Sequence, residues 1–143
     1  MTTEVNFSYK PIDHECEKAS NSYLMSLVSM IVGLPLPIIN LFATILFFIL
    51  NRSETHFVRW HCTQALLSQL LLFFLNSSLF WWTVAILFAD EKFSMKYLAY
   101  LILILIFNII EITSTIIAAI KVRKAYHVKF FLIGGLTDFF CKK

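Results

Sequence analysis

A single carboxyl interrupts a long apolar run: Glu111 is the only charged residue between Tyr97 and Ile120. An acidic side chain at the centre of a bilayer costs on the order of 2.5–3.5 kcal/mol on insertion scales. Such a group must face protein or water, or keep its proton. Asn108, Glu111, Thr115 and Ala118 are spaced so that all four fall on one helical face, a stripe of polar and small residues. Two chemistries fit: an ion or proton site on a path, or a hydrogen bond between packed helices. Packing is the expectation, because a short chain leaves little room for a conduction path.

A second set of polar residues lies upstream. Cys62, Gln69, Asn76 and Thr83 recur every seven residues, a seam of the kind that faces a neighbouring helix. His61, Gln64 and Ser68 form a stripe beside it, and Asn40 and Thr44 stand one turn apart earlier in the chain. Polar side chains on a spanning helix turn toward other helices, where each adds roughly 0.6–2 kcal/mol. His56 and His61 are five residues apart and do not share a face. The sequence holds no helical metal motif, no nucleophile elbow and no phosphate loop, and it has three glycines in all. Cys16, Cys62 and Cys141 make neither a disulfide framework nor a zinc knuckle. No catalytic residue, metal or cofactor is expected, and the chain reads as a non-enzyme.

Helices must carry these residues through a membrane. Of the 143 residues 59% are hydrophobic and 15% charged, and the mean hydropathy is +0.75. Soluble chains carry roughly 45–50% apolar and 25% charged residues. A domain this small cannot hide such an apolar excess inside itself. A soluble enzyme domain and a disordered regulator are both excluded, and a formal charge of +3 is too scattered for a nucleic-acid groove. The fold class is an all-α integral membrane protein with three main spanning helices, near Tyr23–Leu50, Thr63–Phe88 and Tyr97–Ile120, each longer than the ~20 residues a span requires. The first is broken at Pro35 and Pro37, because each proline removes an amide donor and crowds the preceding turn. A kinked single span is the expectation. The alternative is a re-entrant hairpin of two half-helices, which gives four helical segments. Ser53, ahead of Glu54, is read as the N-cap of the next helix.

Residues 1–22 read as a polar, acidic tail, 23–124 as the helical membrane domain and 125–143 as a basic-aromatic tail. In that last segment Phe130, Phe131, Phe139 and Phe140 are expected among the headgroups, with Gly134–Gly135 breaking it in two. Three spans put Arg52, Arg59, Lys121, Arg123, Lys124, Lys129, Lys142 and Lys143 on one side, and Lys10, Lys18, Lys92 and Lys96 on the other. The richer side is cytoplasmic by the positive-inside rule. The C-terminus is then inside and the N-terminus outside; in the hairpin alternative the N-tail returns to the cytoplasm.

Three pieces carry a resemblance: the broken span Gly33-Leu34-Pro35-Leu36-Pro37-Ile38-Ile39, the segment Phe57-Val58-Arg59-Trp60-His61-Cys62-Thr63-Gln64-Ala65-Leu66, and Ile116-Ile117-Ala118-Ala119-Ile120-Lys121. Together they resemble a family of small bacterial membrane proteins of unknown function, grouped distantly with the chloroplast inner-envelope import component of the Tic translocon. The family pattern of Phe-Val, His and Gln-Ala-Leu falls on Phe57, Val58, His61, Gln64, Ala65 and Leu66. The chain departs from it in having Leu67 and Ser68 where Asn is common, and Ala125 where Gly often follows the third span. The resemblance implies three or four spanning helices and a part in protein transport.

The reading is a small non-enzymatic subunit or accessory of a larger assembly in a bacterial inner membrane. Its partners are the lipid bilayer and other membrane chains, a hetero-oligomer being favoured over a homo-oligomer, and nucleic acid is not among them. The alternative is a small homo-oligomeric channel or transporter with Glu111 in its pathway.

Overall fold

A computed structural model describes residues 2–5, 9–32, 37–88, 94–131 and 133–141; the side chains of residues 2–5, 32 and 37–40 lie outside this description. In chain order the elements are β1 (Thr2–Val5), α1 (Asp13–Val32), α2 (Pro37–Asn51), α3 (His56–Phe88), α4 (Met95–Arg123), β2 (His127–Phe130) and α5 (Gly134–Phe140). Helix dominates, as the composition requires. The two short strands pair antiparallel, with Thr2 opposite Phe130 and Val5 opposite His127.

Helix α1 starts ten residues inside the segment read as a tail. Asp13 and Glu15 stand in its first turn, where negative charge meets the positive end of the dipole. The Glu15 carboxylate accepts the Ile12 amide at 2.9 Å, closing the N-terminus as in a capping box. Cys16, Ala19, Ser20, Ser22 and Tyr23 are buried, so this stretch packs instead of trailing in solvent.

The structure takes the hairpin alternative for the first span. The Lys18 ammonium, near the start of α1, meets the Glu54 carboxylate just beyond α2 at 2.6 Å. That contact is possible only if α2 runs back alongside α1. Pro37 opens α2, a position where a missing amide costs nothing. Pro35 and the rest of the turn lie outside the described residues. Glu54 is engaged by Lys18, and α3 begins at His56 rather than after a Ser53 cap.

Helices α3 and α4, of 33 and 29 residues, are about 50 and 43 Å long at a rise of ~1.5 Å per residue. Both exceed a hydrocarbon core of ~30 Å, and both are long and apolar enough to cross a membrane. Ser94 caps α4 by accepting the Tyr97 amide at 3.3 Å. Its far end closes in a Schellman turn: the Tyr126 amide bonds the Lys121 carbonyl and the Ala125 amide the Val122 carbonyl. Ala125 takes the left-handed position, at φ 65°.

Helix α1 is antiparallel to α4, with Ser20 beside Ala119 and Glu17 beside Arg123. It is parallel to α3, with Tyr23 beside His61 and Ser26 beside Gln69. The core joins α1, α3, α4 and β2 through Ala19, Tyr23, Phe57, Ala118, Val122 and Val128. Alanines at 19, 65, 118 and 119 let the backbones approach closely. Beyond Leu72 the buried residues of α3 end, and α4 supplies the bonds of its distal half.

The strand pair corrects the expected topology. Both chain ends, and the α2–α3 turn with them, lie at one end of the molecule, so the N- and C-termini are not on opposite sides. Among the described residues, eight of the nine Lys and Arg belong to that end by the elements they flank, and Lys96 to the other. The hairpin therefore sharpens the charge asymmetry. Trp82 packs against Tyr97 and Tyr100 at the opposite end, with ring centroids 5.7 Å apart in each case.

Candidate functional site: a buried hydrogen-bond network and an intramembrane carboxyl

Gln64 is fully buried and uses both ends of its amide. Its Nε2 donates to the Tyr23 hydroxyl at 2.8 Å and to the Val128 carbonyl at 3.2 Å, and its Oε1 accepts the Phe130 amide at 3.1 Å. The side chain thus stands in for a neighbouring strand on the edge of β2 that β1 leaves free. Tyr23 Oη lies 2.8 Å from His61 Nδ1, and His61 Nε2 lies 3.2 Å from His127 Nδ1. One assignment satisfies this network: Tyr23 donates to His61, and His61 donates through Nε2 to His127. Trp60 packs edge-on against both imidazoles, and Phe57 edge-on against His61 and tilted against His127.

The tail is held at further points. Trp60 Nε1 donates to Asp138 at 3.0 Å, and His56 Nε2 lies 3.0 Å from the Cys141 carbonyl. Lys129 pairs with Asp138. Burial holds His127 far below the ordinary imidazole range, at about 4; Asp138 pulls it up, while Lys129 and His56 push it down. For Asp138 burial opposes the charged form, yet the hydrogen bonds from Lys129 and Trp60 keep its carboxyl below the usual range. Phe130, expected among the headgroups, is instead buried against Tyr23. Phe131, Phe139 and Phe140 are exposed, and Gly134–Gly135 opens α5.

The seven-residue seam divides between two neighbours. Gln69 donates to Ser26 on α1. Asn76 and Asn108 exchange amide bonds at 3.2 and 2.9 Å between α3 and α4, and Thr83 lies 2.9 Å from the Tyr97 hydroxyl. Ser68 is buried with no hydrogen-bond partner among the described residues, as is Ser29. Thr44 is buried, while Asn40 is described by its backbone alone. Arg52 is exposed after α2, Arg59 sits half-buried in the first turn of α3, and Lys121, Arg123 and Lys124 close α4.

Glu111 is half-buried, and Thr115, one turn along its own helix, donates to it at 3.5 Å. It lines an apolar cleft of about 210 Å³ between α3, α4 and the tail, walled by Leu71, Phe107, Phe130 and Phe131. Thr115 and Ala118 of its stripe are buried, whereas Asn108 turns to α3. Among the described residues no three His, Cys, Asp or Glu come together as a metal site.

Sequence reasoning missed Tyr23 and His127. They reach His61 from sites 38 and 66 residues away, and no local spacing signals such a contact.

No curated protein and no solved structure matches the chain. A family model does, over residues 18–136, from the first turns of α1 into α5. That span contains the Tyr23–His61–Gln64–His127 network, Glu111 and both helices long enough to cross a membrane, α3 and α4, and nothing in the match points to the Tic translocon. This small membrane protein belongs to the MamF/MmsF family, the magnetosome magnetite crystal formation protein family.

Proposed function

We propose that the chain is a non-enzymatic accessory subunit of a membrane assembly, and that the process it serves is the crystal formation for which its family is named. One observation carries this reading: the buried polar network around Gln64 is closed on itself and on the β2 backbone, while the outer faces are apolar. Tyr23, His61, Gln64 and His127 satisfy each other and the β2 backbone. Phe42 and Leu46 on α2, Phe74 and Trp81 on α3, and Ile102 and Leu105 on α4 face outward. Such faces suit lipid and partner helices better than a soluble substrate. A part in protein translocation rests on the sequence resemblance alone. The end carrying eight of the nine described Lys and Arg lies in the cytoplasm in this reading.

Affinity purification from native membranes in mild detergent, followed by mass spectrometry, tests the proposal. A defined set of other membrane chains is expected. A self-assembled ring that conducts ions in planar bilayers overturns it in favour of the channel.

A further inference from the structure

A groove of about 420 Å³ runs between α2, α3 and α5 at the basic end. Its volume lies within the ~300–1,000 Å³ common for small-molecule sites. Phe48, Leu66, Leu67 and Phe140 form apolar walls, and Arg59 stands in the lining, half-buried. None of the lining residues is acidic. Among the described residues the ion pairs are Lys18–Glu54, Arg123–Glu17 and Lys129–Asp138, and Arg59 takes part in none. The Arg59 carbonyl is used by Thr63, which donates to it at 2.8 Å, so the local backbone is closed while the guanidinium is left over. Leu46, Ile49 and Leu50, exposed on the same half of α2 as Phe48, extend the apolar surface outward from the groove.

A planar cation in the lining of a groove with apolar walls has a specific complement. Guanidinium binds phosphate oxygens in a two-pronged geometry. An acyl chain gains by leaving water for apolar walls. Basic pockets between membrane helices at the positively charged face bind anionic lipid headgroups. We propose that this groove is a binding site for one anionic glycerophospholipid, its phosphate on Arg59 and one acyl chain along Phe48, Leu66, Leu67 and Phe140. The site is independent of what the assembly makes. It ties α2, α3 and α5, which together form the groove, to the charge of the surrounding leaflet.

The test uses the full chain in detergent micelles, with retained lipid counted by native mass spectrometry. The probes are palmitoyl-oleoyl phosphatidylglycerol, phosphatidylcholine with the same chains, and inorganic phosphate as competitor. Wild type should retain one phosphatidylglycerol at least about fivefold better than phosphatidylcholine, the factor expected of one basic side chain at an anionic surface. Arg59→Gln should fall to the phosphatidylcholine level, and Arg59→Lys should keep part of the preference. Lys124→Gln, which removes an exposed charge at the same end, should match wild type. Equal retention of the two lipids by wild type overturns the site without recourse to any variant. So does an Arg59→Gln protein that binds as wild type, or a Lys124→Gln loss as large as that of Arg59→Gln. Displacement by inorganic phosphate overturns the lipid in favour of a free anion.

Discussion

At the scale of residues, the His61–His127 contact shares one proton between two buried rings, and a second proton would set two N–H groups against each other. His127 is held at about 4, against an ordinary 6.5. Between these values the unfolded chain binds a proton that the folded chain refuses, so stability is intact above 6.5 and falls as the pH drops toward 4. The loss should be on the order of 2 kcal/mol, read from unfolding midpoints across that window. His127→Asn should flatten the profile there; an unchanged profile would show that the imidazole is not what titrates. Glu111 gives a second prediction. Its bond is a long one to Thr115 on its own helix, so Glu111→Gln should change stability by less than about 1 kcal/mol. Growth and complex stability should both survive the substitution. A Gln variant that is inactive inside an intact complex would promote the channel reading, since only the ionisable proton is removed.

At the scale of elements, the end of α4 is built with the wrong residue for its backbone. A left-handed C′ position favours glycine, and an L side chain there costs roughly 1–2 kcal/mol. Ala125 occupies it at φ 65°, with both Schellman bonds made. Ala125→Gly should therefore stabilise the protein by up to about 1 kcal/mol, the relief of strain being offset in part by unfolded-state entropy. Thermal unfolding in detergent measures it, and a destabilised variant would mean that the Ala125 methyl, packed against the core, outweighs the strain.

At the scale of the whole molecule, the hairpin and the strand pair put both termini at the basic end. Cys16, Cys62 and Cys141 are all buried, so labelling must rely on introduced thiols. Lys10, Lys96 and Lys124 are exposed. In intact cells a membrane-impermeant maleimide should reach Lys96→Cys and spare Lys10→Cys and Lys124→Cys until the membrane is opened. Labelling of Lys10→Cys but not Lys124→Cys from outside would restore the three-span topology.

Composition and uncharged run length sufficed for the membrane class and for α3 and α4, because burial in lipid demands long apolar helices whatever they pack against. The seven-residue seam was legible for the same reason: Gln69, Asn76 and Thr83 repeat at helical spacing, and each finds a partner on another element. The prolines marked the break in the first span, but kink and hairpin remove the same amides, and contacts distant in sequence, such as Lys18 with Glu54 and the β1–β2 pairing, distinguish them. The tails were the least legible. His127-Val128-Lys129-Phe130 alternates polar and apolar residues, but four residues are too short a run to mark a strand, and its burial is set by Gln64, His61 and a second strand more than a hundred residues away. Local pattern reports which face of an element avoids water. Which element then covers that face depends on contacts across the chain, and those alone brought Tyr23, His61, Gln64 and His127 together.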